Sequence, residues 1–173
     1  FFLYLFSSYG CYLFFRFGLK LSFAPSVLGG FAYILANSTF LSVLGNEFSG
    51  HVVPLTFLPW VMLCISQAYA KDCLGWIFLA GLIAGLTQYV LASHPEVVAL
   101  FVGFSFVYIC WMAIGKLLIQ GFQWTNIKRF ALEIVAFPVA VFVGMAYFLV
   151  PLFEAIALME HALLDSSSTM GFW

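Results

Sequence analysis

Apolar residues in this chain come in long unbroken blocks, and short clusters of charge, proline, glycine and histidine separate them. A helix needs about 20 mostly apolar residues to cross the hydrocarbon core of a bilayer. On that measure the pattern predicts six spans, at about residues 1–17, 25–43, 52–70, 74–92, 97–115 and 130–150. The blocks are apolar on every side, whereas a membrane barrel needs alternating segments of about ten residues. The expected fold is therefore all-α: a polytopic transmembrane helical bundle over 1–150, with 151–173 as an outward-facing helical extension and tail. In that tail Leu152, Ile156, Met159 and Leu163 share one helical face, and Glu154, His161 and Asp165 share another. This predicts either that the sixth span continues out of the membrane or that an interfacial helix follows it.

Composition strengthens this picture. Of 173 residues 65% are hydrophobic and 8% charged, against about 25% charged in an ordinary soluble domain. The mean hydropathy is +1.11. Six cations spread along the chain make no basic patch for nucleic acid. So apolar a chain is not a disordered one, and four cysteines are too sparse for a secreted disulfide scaffold. The chain opens at Phe1 inside an apolar run, without a basic n-region. The expectation is an interior fragment of a larger membrane protein.

Charge then orients the spans, because Lys and Arg between spans stay cytoplasmic. Arg16 and Lys20 lie in the first connection, Lys71 in the third, and Lys116, Lys128 and Arg129 in the fifth; the other connections and the tail hold none. The odd connections are thus expected in the cytoplasm. The outer side then collects Glu47, His51, His94, Glu96, Glu154, Glu160, His161 and Asp165. That is every histidine and five of the seven acids.

Candidate chemistry follows from this sorting. The fourth connection, Ser93-His94-Pro95-Glu96, reads as a helix start, with proline in the first turn and the acid near the positive end of the dipole. It also reads as a hydrogen-bonding or proton-transfer pair, His94 with Glu96, facing an outer cavity. The second connection places Glu47 between Gly45 and Gly50, and His51 leads into a span carrying Pro54 and Pro59. Each proline removes a backbone donor, so a bend or local unwinding is expected there. The result is either a bent helix packed on its neighbours or the wall of a cavity open to the outside. His51, His94, Glu96 and Glu47 are the candidate substrate-binding residues, and the first three are expected to line one outward cavity.

Other features are weaker. His161 and Asp165, at i and i+4, read as two metal ligands or as solvated surface, and no metal site is predicted. Gly81 and Gly85 form a GxxxG pattern that admits another helix closely, from this chain or from a partner. Glu133, one turn inside the sixth span, is expected to snorkel or ion-pair at the cytoplasmic surface. Cys11, Cys64 and Cys110 read as buried apolar residues and Cys73 as a residue of the cytoplasmic edge. Asn37-Ser38-Thr39 matches a glycosylation sequon by chance, inside a span. Phosphate-loop, HExxH and GxSxG motifs are missing. So is a mid-membrane acid or base, which argues against an ion-coupled pump.

The order of features resembles the YfhO-like bacterial membrane proteins of the C-type glycosyltransferase class. Gly10, Tyr12 and Arg16 match a G-Y-L-x-x-R helix with Cys11 intervening between the Gly and the Tyr, Pro54 and Pro59 a P-L-x-x-L-P helix, and His94 and Pro95 a short outward G-H-P turn. Ser93 stands where that turn usually has glycine. The resemblance implies transfer of a sugar from a polyprenyl-phosphate donor to an acceptor on the outer face of the plasma membrane. It implies a multi-pass location, in the bacterial inner membrane, and a catalytic aspartate upstream of Phe1. No cofactor is specified. The alternative is a non-catalytic membrane subunit or scaffold that binds other membrane subunits through its Phe-rich surface and the GxxxG helix.

Overall fold

The computed structural model describes the backbone of residues 2–43, 48–87 and 95–169; within its helices, the side chains of 37–43, 48–53, 95–98, 147–149, 152, 157 and 160–169 are outside the description. Among the described residues the chain is helical and contains no strand. Helix α1 (Phe2–Leu13) runs into a π-helical turn, Phe14–Gly18. Then come α2 (Phe23–Val43), α3 (Phe48–Ala70), α4 (Gly75–Leu86), α5 (Pro95–Gln120) and α6 (Trp124–Thr169). Each apolar block of the sequence thus carries a helix. Two stretches, Ala99–Gln120 and Trp124–Ala146, are long and apolar enough to cross a membrane. The apolar helices Phe23–Ala36, Pro54–Ala70 and Gly75–Leu86 are shorter.

The core lies where α3, α4, α5 and α6 meet, around the fully buried Ile65, Ile77, Ile109 and Phe137. Helices α4 and α6 form the most extensive pair, and small residues are the reason. A Cβ on Gly85 would stand 2.2 Å from the Val141 carbonyl oxygen, and one on Gly81 2.6 Å from that of Phe137. A Cβ on Gly144 of α6 would stand 2.7 Å from the Leu82 carbonyl oxygen. The partner of the GxxxG pattern is therefore α6 of the same chain. Contacts between 81 and 140 and between 85 and 144 run in the same sense, so α4 and α6 are parallel. A second layer joins α1 to α2 and α3. Phe6 stacks on Trp60 at 4.6 Å, and Gly10 leaves the room that the Trp60 indole occupies.

Of the bend or local unwinding expected at Pro54 and Pro59, the unwinding does not occur: α3 is continuous from Phe48 to Ala70. Proline 59 has no N–H for the carbonyl of Leu55, four residues back. The Tyr33 hydroxyl of α2 donates to that carbonyl at 2.6 Å. A neighbouring helix satisfies the freed acceptor, so the turn has no need to open. Helix α6 likewise passes Pro138 and Pro151 without a break and continues to Thr169. At 1.5 Å per residue it is about 69 Å long, more than twice the hydrocarbon thickness of about 30 Å. The last predicted span therefore continues as one helix.

Candidate functional site at the cationic end

All the basic side chains gather at one end of the bundle, where α3 and α5 finish and α4 and α6 begin. Lys20, Asp72 and Lys116 line one cleft. Arg16 donates to the Leu21 carbonyl at 2.9 Å, bracing the π-helical turn. Lys71 stands over the Trp76 ring and Lys128 over that of Trp124, 4.7 and 5.5 Å from the ring centroids.

Arg129 organises this end. It lies in the second turn of α6, and each guanidinium nitrogen has a separate acceptor. Nε donates to Glu133 Oε1 at 2.9 Å, one turn along the same helix. Nη2 donates to the Ala68 carbonyl of α3 at 3.2 Å, and Nη1 pairs with Asp72 Oδ1. The Ala68 carbonyl also accepts the Cys73 amide at 3.1 Å, so Arg129 and the following turn together cap the negative end of α3. Asp72 sits in the left-handed region, φ 54°, which aspartate tolerates better than most side chains.

Glu133 is 1% exposed, so the expectation of a snorkelling surface carboxylate is corrected. An ion pair is present, but in the interior. Its second oxygen accepts the Tyr69 hydroxyl of α3, which also lies 3.2 Å from the Ile109 carbonyl of α5. The carboxylate thereby joins α3 to α6, with the Tyr69 hydroxyl lying against α5. A buried charge is tolerated only when paired and hydrogen-bonded, and Glu133 is both. Asp72 forms the solvent end of the network: its side chain is 67% exposed and shared between Lys116 and Arg129. The Lys116 hydrogen bond first, with the Arg129 charge behind it, holds the Asp72 carboxyl below its ordinary value.

Two spaces adjoin the network. A cavity of about 10 Å³ touches Lys116, Asn126, Arg129 and Glu133, the volume that one water needs. Beside it opens a cleft of about 710 Å³, from Lys20 and Asp72 to Trp111 and Gln120 of α5. Among the described residues no three His, Cys, Asp or Glu side chains converge as a metal site.

The residues expected to line an outer cavity are not brought together within the description. Glu47 and His94 lie outside the described residues. His51 and Glu96 have described backbones in the first turns of α3 and α5, but their side chains lie outside. Pro95 opens α5, in the first-turn position expected of it. Cys11 and Cys64 are buried, Cys110 is half-buried, and Cys73 is exposed at the start of α4.

An ion pair of Glu133 was expected from the sequence; the network around it, with Tyr69, Asp72 and Lys116, was not. Two signals pointed to it: an acid within an apolar helix, Glu133, and a basic residue four positions before it. Comparison with protein-family models, with curated proteins and with solved structures finds no match to this chain.

Proposed function

We propose that this chain is a multi-pass membrane bundle with its cationic end in the cytoplasm, and that it forms the membrane part of a glycosyltransferase. Such an enzyme takes a sugar from a polyprenyl-phosphate donor at the outer face. The observation that carries the membrane reading is apolar exposure. The two longest apolar helices are only 22% and 28% buried in the bundle. Leu100, Phe104, Val107, Trp111, Ile114 and Leu118 make a continuous exposed stripe along α5. In water such a stripe is an aggregation liability; in lipid it is the outer wall of a bundle. The clustering of cations at one end supports the orientation.

The enzymatic part rests on the resemblance carried by Gly10, Tyr12, Arg16, Pro54, Pro59, His94 and Pro95. Gly10 and Pro59 have roles in the fold that fit such a pattern, one admitting Trp60 and the other leaving the carbonyl that Tyr33 satisfies. The scaffold alternative loses part of its footing, because the GxxxG face is occupied by α6. The test is transfer of radiolabelled sugar from polyprenyl-phosphate donors in membranes containing the full protein. Turnover that falls on His94→Ala while the protein stays folded in detergent supports the reading. No transfer from any donor of a panel of polyprenyl-phosphate hexoses and pentoses rejects it.

A further inference from the structure

We propose that the cleft at the cationic end binds a phospholipid with an anionic headgroup, a site separate from the outer-face chemistry. The inference rests on the membrane reading above. The cleft has the volume of a ligand site and two unlike halves. At its mouth stand Lys20, Lys116 and Gln120; deeper along α5 lie Gly115, Met112 and Trp111. Trp111 is about 14 Å from Gln120 at 1.5 Å per residue, and it is 73% exposed. A charged mouth above an apolar wall suits an amphiphile, headgroup at the lysines and chain along α5. A Cβ on Gly115 would meet nothing within 4 Å, so a chain finds room beside it.

Charge selects the headgroup. The groups facing the region are Lys20, Lys116 and Arg129 against Asp72 and Glu133, three positive and two negative. Arg129 and Glu133 are committed to each other, and Lys116 and Arg129 share Asp72. Lys20 has no carboxylate partner among the described residues. It is held at the cleft in the left-handed region, φ 57°, a conformation uncommon for lysine. The surplus is one positive charge, presented by an unpaired amine at the level where lipid phosphates lie.

The test is thermal unfolding of the delipidated protein in maltoside detergent, titrated with phosphatidylglycerol, phosphatidylcholine or inorganic phosphate. Phosphatidylglycerol should stabilise saturably, and the other two should not. Lys20→Gly removes the charge and suits the positive φ; it should weaken apparent binding about fivefold. Lys20→Arg should restore it, and Lys71→Gln, outside the cleft, should leave it unchanged. Lys20→Gln serves as a second charge-free variant if the glycine variant does not fold. Equal stabilisation by phosphatidylcholine would overturn the proposal, as would unchanged binding in the Lys20 variants. An equal loss in Lys71→Gln would reduce it to diffuse surface potential. Stabilisation by inorganic phosphate alone would make it a soluble-anion site. The two readings fail separately. A chain released from membranes by alkaline carbonate refutes the membrane reading, whereas one that stays and shows no phosphatidylglycerol preference refutes only this site.

Discussion

Glu133 and Arg129 set the residue-scale energetics of the cationic end. Removing one partner of a buried pair leaves an uncompensated charge and costs about 3–5 kcal/mol. Arg129→Met should therefore destabilise the bundle by about that much, and the double change with Glu133→Leu should recover most of the loss. Equilibrium unfolding in mixed micelles measures both; a double variant as unstable as Arg129→Met alone would contradict the pairing. Asp72 behaves differently because solvent reaches it. Its carboxyl is lowered from the ordinary value of 3.8, so its contribution is present above that value and fades as pH falls through the depressed one. Exposure and salt screening keep the contribution small. Asp72→Asn should thus remove little stability at neutral pH. It should flatten the pH dependence only below about pH 4, and a neutral-pH loss as large as that of Arg129→Met would contradict this.

At the scale of elements, close approach decides the fold. A Cβ at Gly85 would strike the backbone of α6 rather than a side chain that swings away. Gly85→Ala should force the two helices apart and cost about 1–3 kcal/mol, while Gly103→Ala, with open space around it, should be silent. Equal effects in the same unfolding assay would refute the α4–α6 packing. Helix existence was legible in the sequence because long apolar blocks allow little else. The Gly81–Gly85 pair announced a close contact, but not its partner, since a helix from any chain meets the same small residues. Of the bend or unwinding expected at Pro54 and Pro59 the unwinding is absent; at Pro59 the remedy, the Tyr33 hydroxyl on Leu55, is a contact between helices that spacing along the chain does not encode. Arg129 and Glu133 were visible as an i,i+4 pair. Their burial was not, because it depends on Tyr69 arriving from another helix. The expected outer cavity of His51, His94 and Glu96 lies outside the described side chains.

The whole molecule is described by its asymmetry: every cation at one end, apolar faces along the sides, and a cleft opening at the charged end. Charge counting along the sequence suggested this, since the odd connections hold all six basic residues. The fold brings those connections into one layer and adds the two remaining acids, Asp72 and Glu133, to them. The central claim is that this layer faces the cytoplasm of a membrane-embedded bundle. The natural residue Cys73 reports on it directly, because it is exposed at the cationic end while Cys11 and Cys64 are buried. With the other three cysteines replaced by alanine, a membrane-impermeant maleimide should leave Cys73 unmodified in intact cells and modify it after permeabilisation, whereas Asn46→Cys in a Cys73→Ala background should react from outside without permeabilisation. Modification of Cys73 in intact cells, with Asn46→Cys protected, would contradict the orientation and the proposed placement of both sites.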